Sequence, residues 1–173
     1  MKKTSLINDV IDLIVIKSKD IEHYRQYPIA LIFFIMLLLV AQSTFLFKGN
    51  DSSIFSVVII DLMFAFVFTF LNAIFLMYWF GRVGKKYSFL TFLHYDVMLS
   101  IAASIPFLAI LFVMKNFDSS PWVGFIGGLG GIFYVVYMFS FNLANATDSS
   151  KKFALGAILI SLLLQGITEA VFL

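Results

Sequence analysis

Along the chain of 173 residues, long apolar runs alternate with short polar segments. A membrane-crossing helix needs about 20 mostly apolar residues. Five stretches satisfy this: 28–47, 54–80, 89–114, 122–142 and 153–173. The second and third are long enough to tilt or to project beyond the hydrocarbon. The links between them are short and hold the turn formers: KGNDSS, GRVGKKYS, KNFDSSP and LANATDSSKK. Short links make successive helices antiparallel and leave no room for a soluble domain. The pattern predicts an all-α polytopic membrane protein with five transmembrane helices in a domain over 28–173.

Residues 1–27 read differently, as an N-terminal cytoplasmic amphipathic segment. Within 4–22, Asp9 and Asp12 interrupt the apolar run, so it is not a sixth span. Leu6, Val10, Leu13 and Ile14 share one helical face, with Ile7 and Ile11 beside it, while Asn8, Asp9, Asp12 and Lys19 lie elsewhere. Such a helix lies on the membrane surface or packs against the short links. The first span ends in Ala41-Gln42-Ser43, a passable signal-peptide cleavage site. The long stretch before the span and the apolar residues 44–47 after the site argue for an uncleaved span.

Composition narrows the chemistry. The chain is 61% hydrophobic and 13% charged, against about 45–50% and about 25% in soluble domains. Mean hydropathy is +0.99. There is no cysteine, which excludes disulfides, thiolate metal sites and thiol lipidation. His23 and His94 are far apart, so no metal site and no cofactor are expected. A net charge of +2 gives no general attraction to nucleic acid. The distribution of charge says more. Ten of the twelve Lys and Arg lie in the N-terminal segment and in the second and fourth links, leaving Lys48 and Lys115 for the other side. The basic side marks the cytoplasm, which puts the N-terminus inside and the C-terminus outside. Tyr78, Trp79, Tyr87, Trp122 and Tyr137 lie toward span ends, where aromatic rings settle at headgroup level.

Polar groups at membrane depth are costly and face the bundle interior. Asp61, Gln165 and Glu169, with Gln42, fall toward the outer ends of their spans; Asn72, His94 and Asp96 fall toward the inner ends. Three stripes of small and polar residues mark helix contacts. Asp61, Ala65, Thr69, Asn72 and Leu76 form the first. Asp96, Ser100, Ala103 and Pro106 form the second; Ala154, Ala157, Ser161, Gln165 and Glu169 form the third. His94 and Asp96, two positions apart, point to different sides of their helix and form no ready dyad. They are expected to snorkel to the inner surface or to bond Arg82 or Lys86. Tyr95-Asp96 matches half of an intramembrane aspartyl protease site, but the partner glycine-rich Asp motif is absent. No Gly-x-Ser motif supports a serine nucleophile either, so no catalytic residue is assigned. Pro106 cannot donate to the carbonyl of Ala102, so the third span should kink. In the fourth, Gly124 to Gly128 and Gly127 to Gly131 have the spacing that admits a close neighbouring helix.

An amphipathic lead-in, five compact spans, basic second and fourth links, GRVGKKYSFLTFLHY leading into SIAASIP, and a Trp followed by a glycine run form a recognisable layout. Over about residues 10–173 it resembles bacterial members of the Yip1 family, five-span inner-membrane proteins. The acidic DLYGP-like motif of eukaryotic relatives is absent, so their Rab-binding role does not carry over. The resemblance implies a multi-pass protein of the inner (plasma) membrane without assigned catalysis. The expected role is a scaffold, a membrane-organising protein or a small partner of a larger membrane complex, in contact with the lipid bilayer and with a membrane-protein partner or a second copy of itself. The alternative is a small transporter or channel-like protein using Asp61, Asp96 and Glu169.

Overall fold

A computed structural model describes residues 5–48, 54–116 and 121–172, with side chains described for all but 47, 48, 116, 121–126, 171 and 172. Seven helices follow one another, and the described residues contain no strand. α1 is Leu6–Ile14, followed by a short 3₁₀ helix, Ile21–Gln26. Five long helices follow: α2 (Ile29–Lys48), α3 (Ile54–Gly81), α4 (Phe89–Asn116), α5 (Pro121–Ala146) and α6 (Lys151–Phe172). All five are long and apolar enough to cross a membrane. Only 17–28% of their apolar windows is buried inside the bundle. The remaining surface carries outward-facing residues such as Phe34, Phe55, Met63, Phe133 and Leu163, an apolar exterior suited to lipid contact. The chain is therefore a polytopic membrane protein. At 28 residues each, α3 and α4 run roughly 42 Å, longer than a hydrocarbon core of about 30 Å.

α4 organises the bundle. α2, α3, α5, α1 and the 3₁₀ helix all pack against it, while α6 closes the bundle by packing on α5 and α3. Every residue from Thr91 to Leu99 is buried, whichever way its side chain points. Farther along, Ile105, Phe107, Phe112 and Val113 are exposed, so α4 moves from centre to edge along its length. The helix continues through Pro106, which supplies no donor to Ala102. Nearby, the Ser104 hydroxyl donates to the carbonyl of Ser100, one turn back, at 2.8 Å.

The end of the bundle that carries the N-terminal segment, the near end, turns the chain by one repeated device. α1, α3 and α5 each finish with a residue at positive φ: Ile16 (61°), Gly84 (80°) and Asp148 (47°). In each case the following amide reaches back five positions, Lys17 to Asp12, Lys85 to Phe80 and Ser149 to Ala144. This pairing satisfies the last carbonyls of the helix. Glycine accepts that conformation freely and aspartate tolerates it, whereas a β-branched isoleucine is strained there. Aromatic stacking ties the same end together: Phe80 packs on Phe92 and Phe153, and Trp79 on Phe153.

Residues 4–22 do not form one continuous amphipathic helix. α1 covers nine residues and stops at Val15. Asp9, expected on its polar face, is fully buried. The chain after α1, including the 3₁₀ helix, turns back and brings Lys19, His23, Gln26 and Tyr27 to the Asp9 carboxylate, a convergence no helical periodicity reveals.

Candidate functional site

The polar stripes of three helices meet inside the bundle. From α6, the Ser161 hydroxyl donates to Oδ1 of Asn72 at 2.5 Å. Nδ2 of Asn72, on α3, donates to Oδ1 of Asp96, on α4, at 2.7 Å. All three side chains are buried, and Asp96 is only 3% exposed. Hydrogen bonds between polar side chains hold helices together where lipid supplies no hydrophobic drive. Here one chain of them joins α6 to α3 to α4.

This chain borders a cavity of about 210 Å³ to which all five long helices contribute. Met36 and Val40 come from α2, and Val135 and Phe139 from α5. Thr69, Ser100, Ser104 and Gln165 add polar atoms to its wall. From Asp96 to Ser104 the polar wall runs along α4 for roughly 12 Å, toward the far end of the bundle. A cavity of this size with several polar partners is large enough for ordered water.

Asp96 and His94 are placed otherwise than expected. Neither reaches Arg82 or Lys86. Asp96 is held by Asn72, and Nδ1 of His94 donates to the carbonyl of Leu90 at 2.7 Å, one turn back on its own helix. Snorkelling needs an open path to the surface, and the first turns of α4 are enclosed by α1, the 3₁₀ helix and three long helices. Arg82 lies over the Trp79 ring at 5.2 Å, and Lys85 reaches Asp148 at 3.4 Å.

Asp61 and Glu169 share a second hollow of about 310 Å³ between α3 and α6, near the far end. Asp61 accepts from Thr44 at 2.7 Å. Glu169 accepts from Gln165, one turn earlier, at 3.0 Å. Gln42, expected in this group, faces outward instead. Phe64 lines both this hollow and the central cavity, so a single aromatic ring stands where they adjoin. The described glycines of α5, Gly127, Gly128, Gly130 and Gly131, make no tight approach within the chain. Added Cβ atoms at Gly127 and Gly131 would meet Ile110 at an ordinary 3.9 Å, and Gly128 faces open space. Gly124 lies outside the residues with described side chains.

At the near end, Asp9 is the hub of the N-terminal segment. His23 Nε2 is 2.7 Å from its Oδ2, the Tyr27 hydroxyl donates to the same oxygen at 2.6 Å, and Lys19 pairs with Oδ1. Burial alone would raise the Asp9 pKa, but hydrogen bonds from Lys19, Tyr27 and His23 outweigh it and hold the carboxyl below its ordinary 3.8. The bond to Asp9 likewise raises Lys19 above 10.5. The segment is sunk into the bundle. Ser18 and Tyr95 share a hydroxyl hydrogen bond of 2.8 Å, and Tyr95 lies about 9 Å along α4 from its start. Asn142 Nδ2 donates to Leu13 O at 2.7 Å and the Tyr134 hydroxyl to Ile14 O at 3.0 Å.

Sequence periodicity places Asn72, Asp96 and Ser161 on inward stripes, and the structure brings these three together. Thr44 and the Asp9 cluster carry no such signal: Thr44 sits in an apolar helix with no polar periodicity, and Asp9 depends on a chain reversal. Among the described residues no three His, Asp or Glu side chains gather to hold a metal ion. No protein-family model, no curated protein and no solved structure matches the chain.

Proposed function

We propose that this is a non-catalytic, membrane-organising protein of Yip1-like layout, seated in the inner (plasma) membrane with its basic near end in the cytoplasm. The observation that carries this reading is the fixed attitude of α1. One side of the helix, Val10 and Leu13 with Asp9, is locked into the bundle. The adjoining stripe Ile7, Ile11 and Val15 points away from it, 70%, 50% and 52% exposed. An apolar stripe held beside the span ends enters the interfacial layer of a single leaflet and acts there as a wedge. The resemblance in layout supports the same reading. So do the commitments of His94 to a backbone carbonyl and of Asp96 to Asn72, which leave the two unpaired with each other.

The test is reconstitution into liposomes of bacterial polar lipid, with vesicle shape followed by electron microscopy. The wild-type chain is expected to shrink or tubulate the vesicles, and Ile7→Asp/Ile11→Asp/Val15→Asp to insert normally without remodelling them. Equal remodelling by both, or none by the wild type, contradicts the proposal.

A second reading, a small transporter, is favoured by the central cavity at Asp96 and by its adjacency, through Phe64, to the Asp61–Glu169 hollow. Intramembrane carboxylates facing a cavity are recurrent features of ion and proton paths.

A further inference from the structure

We propose that the central cavity around Asp96 is a binding site for a small monovalent cation. The argument starts from the donors. Most polar groups on the wall that could offer a proton have a partner inside the protein; the Ser100 hydroxyl and the second N–H of each amide are the exceptions. Thr69 donates to the Ala65 carbonyl at 2.7 Å and Ser104 to the Ser100 carbonyl at 2.8 Å. Ser161 donates to Asn72, Asn72 to Asp96, and Gln165 to Glu169. A hydroxyl that has given its hydrogen to a carbonyl presents lone pairs, and an amide whose nitrogen is engaged presents its oxygen. The wall is therefore rich in oxygen atoms with lone pairs to offer: Thr69, Ser104, Gln165 and the second carboxylate oxygen of Asp96, with the Ser100 hydroxyl beside them. No Lys, Arg or His lines it.

An ionised carboxylate enclosed in this way needs a positive charge or a proton. Oxygen-rich walls suit hard cations. One carboxylate balances one unit of charge, so a divalent ion would leave a net positive charge inside the bilayer, which favours a monovalent ion. The volume of about 210 Å³ leaves room for the ion to keep several of its waters. Phe64 lines both this cavity and the Asp61–Glu169 hollow, so the two adjoin toward the far end. This inference deepens the transport reading by naming its ligand, but it rests on binding alone.

The test uses the full chain purified in mild detergent, with LiCl, NaCl, KCl or NH₄Cl titrated against choline chloride at constant ionic strength. Melting temperature and equilibrium binding of radiolabelled sodium or rubidium are read together. At least one of the small cations is expected to raise the melting temperature saturably and to compete for one site per chain. Asp96→Asn removes that response. Ser104→Ala, which deletes a single wall oxygen, weakens it about tenfold, read against the variant's own melting temperature in choline. It carries the test if the Asn variant does not fold. A response equal to that of choline, or saturable binding unchanged in Asp96→Asn and Ser104→Ala, overturns the proposal. Flux measured separately in proteoliposomes decides the transport reading: binding without flux sinks transport and leaves the site intact.

Discussion

Asp9 shows how a single residue can control a segment. Its carboxylate is fully buried, and Lys19, His23, Gln26 and Tyr27 converge on it from the stretch of chain that follows α1. The shifts of its pair fix the pH window of docking. A carboxyl held below 3.8 when folded binds fewer protons folded than unfolded. Its contribution is complete above the unfolded value and disappears as pH falls through the folded one. Lys19 is the mirror case: raised above 10.5, it contributes fully below that value and is lost as pH rises through its folded value. Hydrogen exchange of residues 5–27, corrected for its intrinsic pH dependence, should stay slow from about pH 5 to about pH 9. It should become fast in acid below 3.8, while the five spans stay protected. In Asp9→Asn the segment should exchange fast at neutral pH. Retained protection in that variant would remove Asp9 from the centre of this account. Nothing in the periodicity of residues 4–22 marks Asp9 as a hub, because its partners arrive through a positive-φ turn at Ile16, a residue type that does not announce one.

Helix existence was legible for a plain reason: five apolar runs of membrane-crossing length leave few other structures for the backbone in lipid. The inward faces of α3, α4 and α6 were legible too, because small and polar residues recur at helical spacing through Asn72, Asp96 and Ser161. The centrality of α4 was not. Its inner half is mostly apolar, with Thr91, His94 and Asp96 spread around the helix rather than gathered on one face, so only the packing of neighbours tells an enclosed helix from a lipid-facing one. That ambiguity is why His94 and Asp96 read as surface-seeking when they are enclosed. At the ends of the elements, Gly84 carries a clean prediction. It takes φ 80°, and a Cβ built there meets nothing within 4 Å, so substitution changes backbone energy alone. Gly84→Ala should destabilise the fold by about 1–2 kcal/mol, measured by denaturant or thermal unfolding in detergent. A variant as stable as the wild type would mean that the α3 turn does not hold this conformation.

At the scale of the whole molecule, the links place the N-terminal segment, the α3–α4 turn and the α5–α6 turn together at one end, as the Lys85–Asp148 and Thr91–Glu22 contacts show. The opposite end holds Asp61, Gln165 and Glu169. Both readings of function use that polarity: the wedge needs α1 in one leaflet, and the hollow that adjoins the cation site lies toward the other. The absence of cysteine makes the polarity directly measurable, since each introduced thiol is the only one in the chain. Single variants Lys17→Cys, Lys86→Cys, Lys152→Cys and Lys115→Cys, labelled in intact cells with a membrane-impermeant maleimide, form the decisive experiment. The account predicts that Lys115→Cys reacts from outside and that the other three react only after the membrane is opened. Labelling of Lys115→Cys and Lys86→Cys from the same face would contradict it.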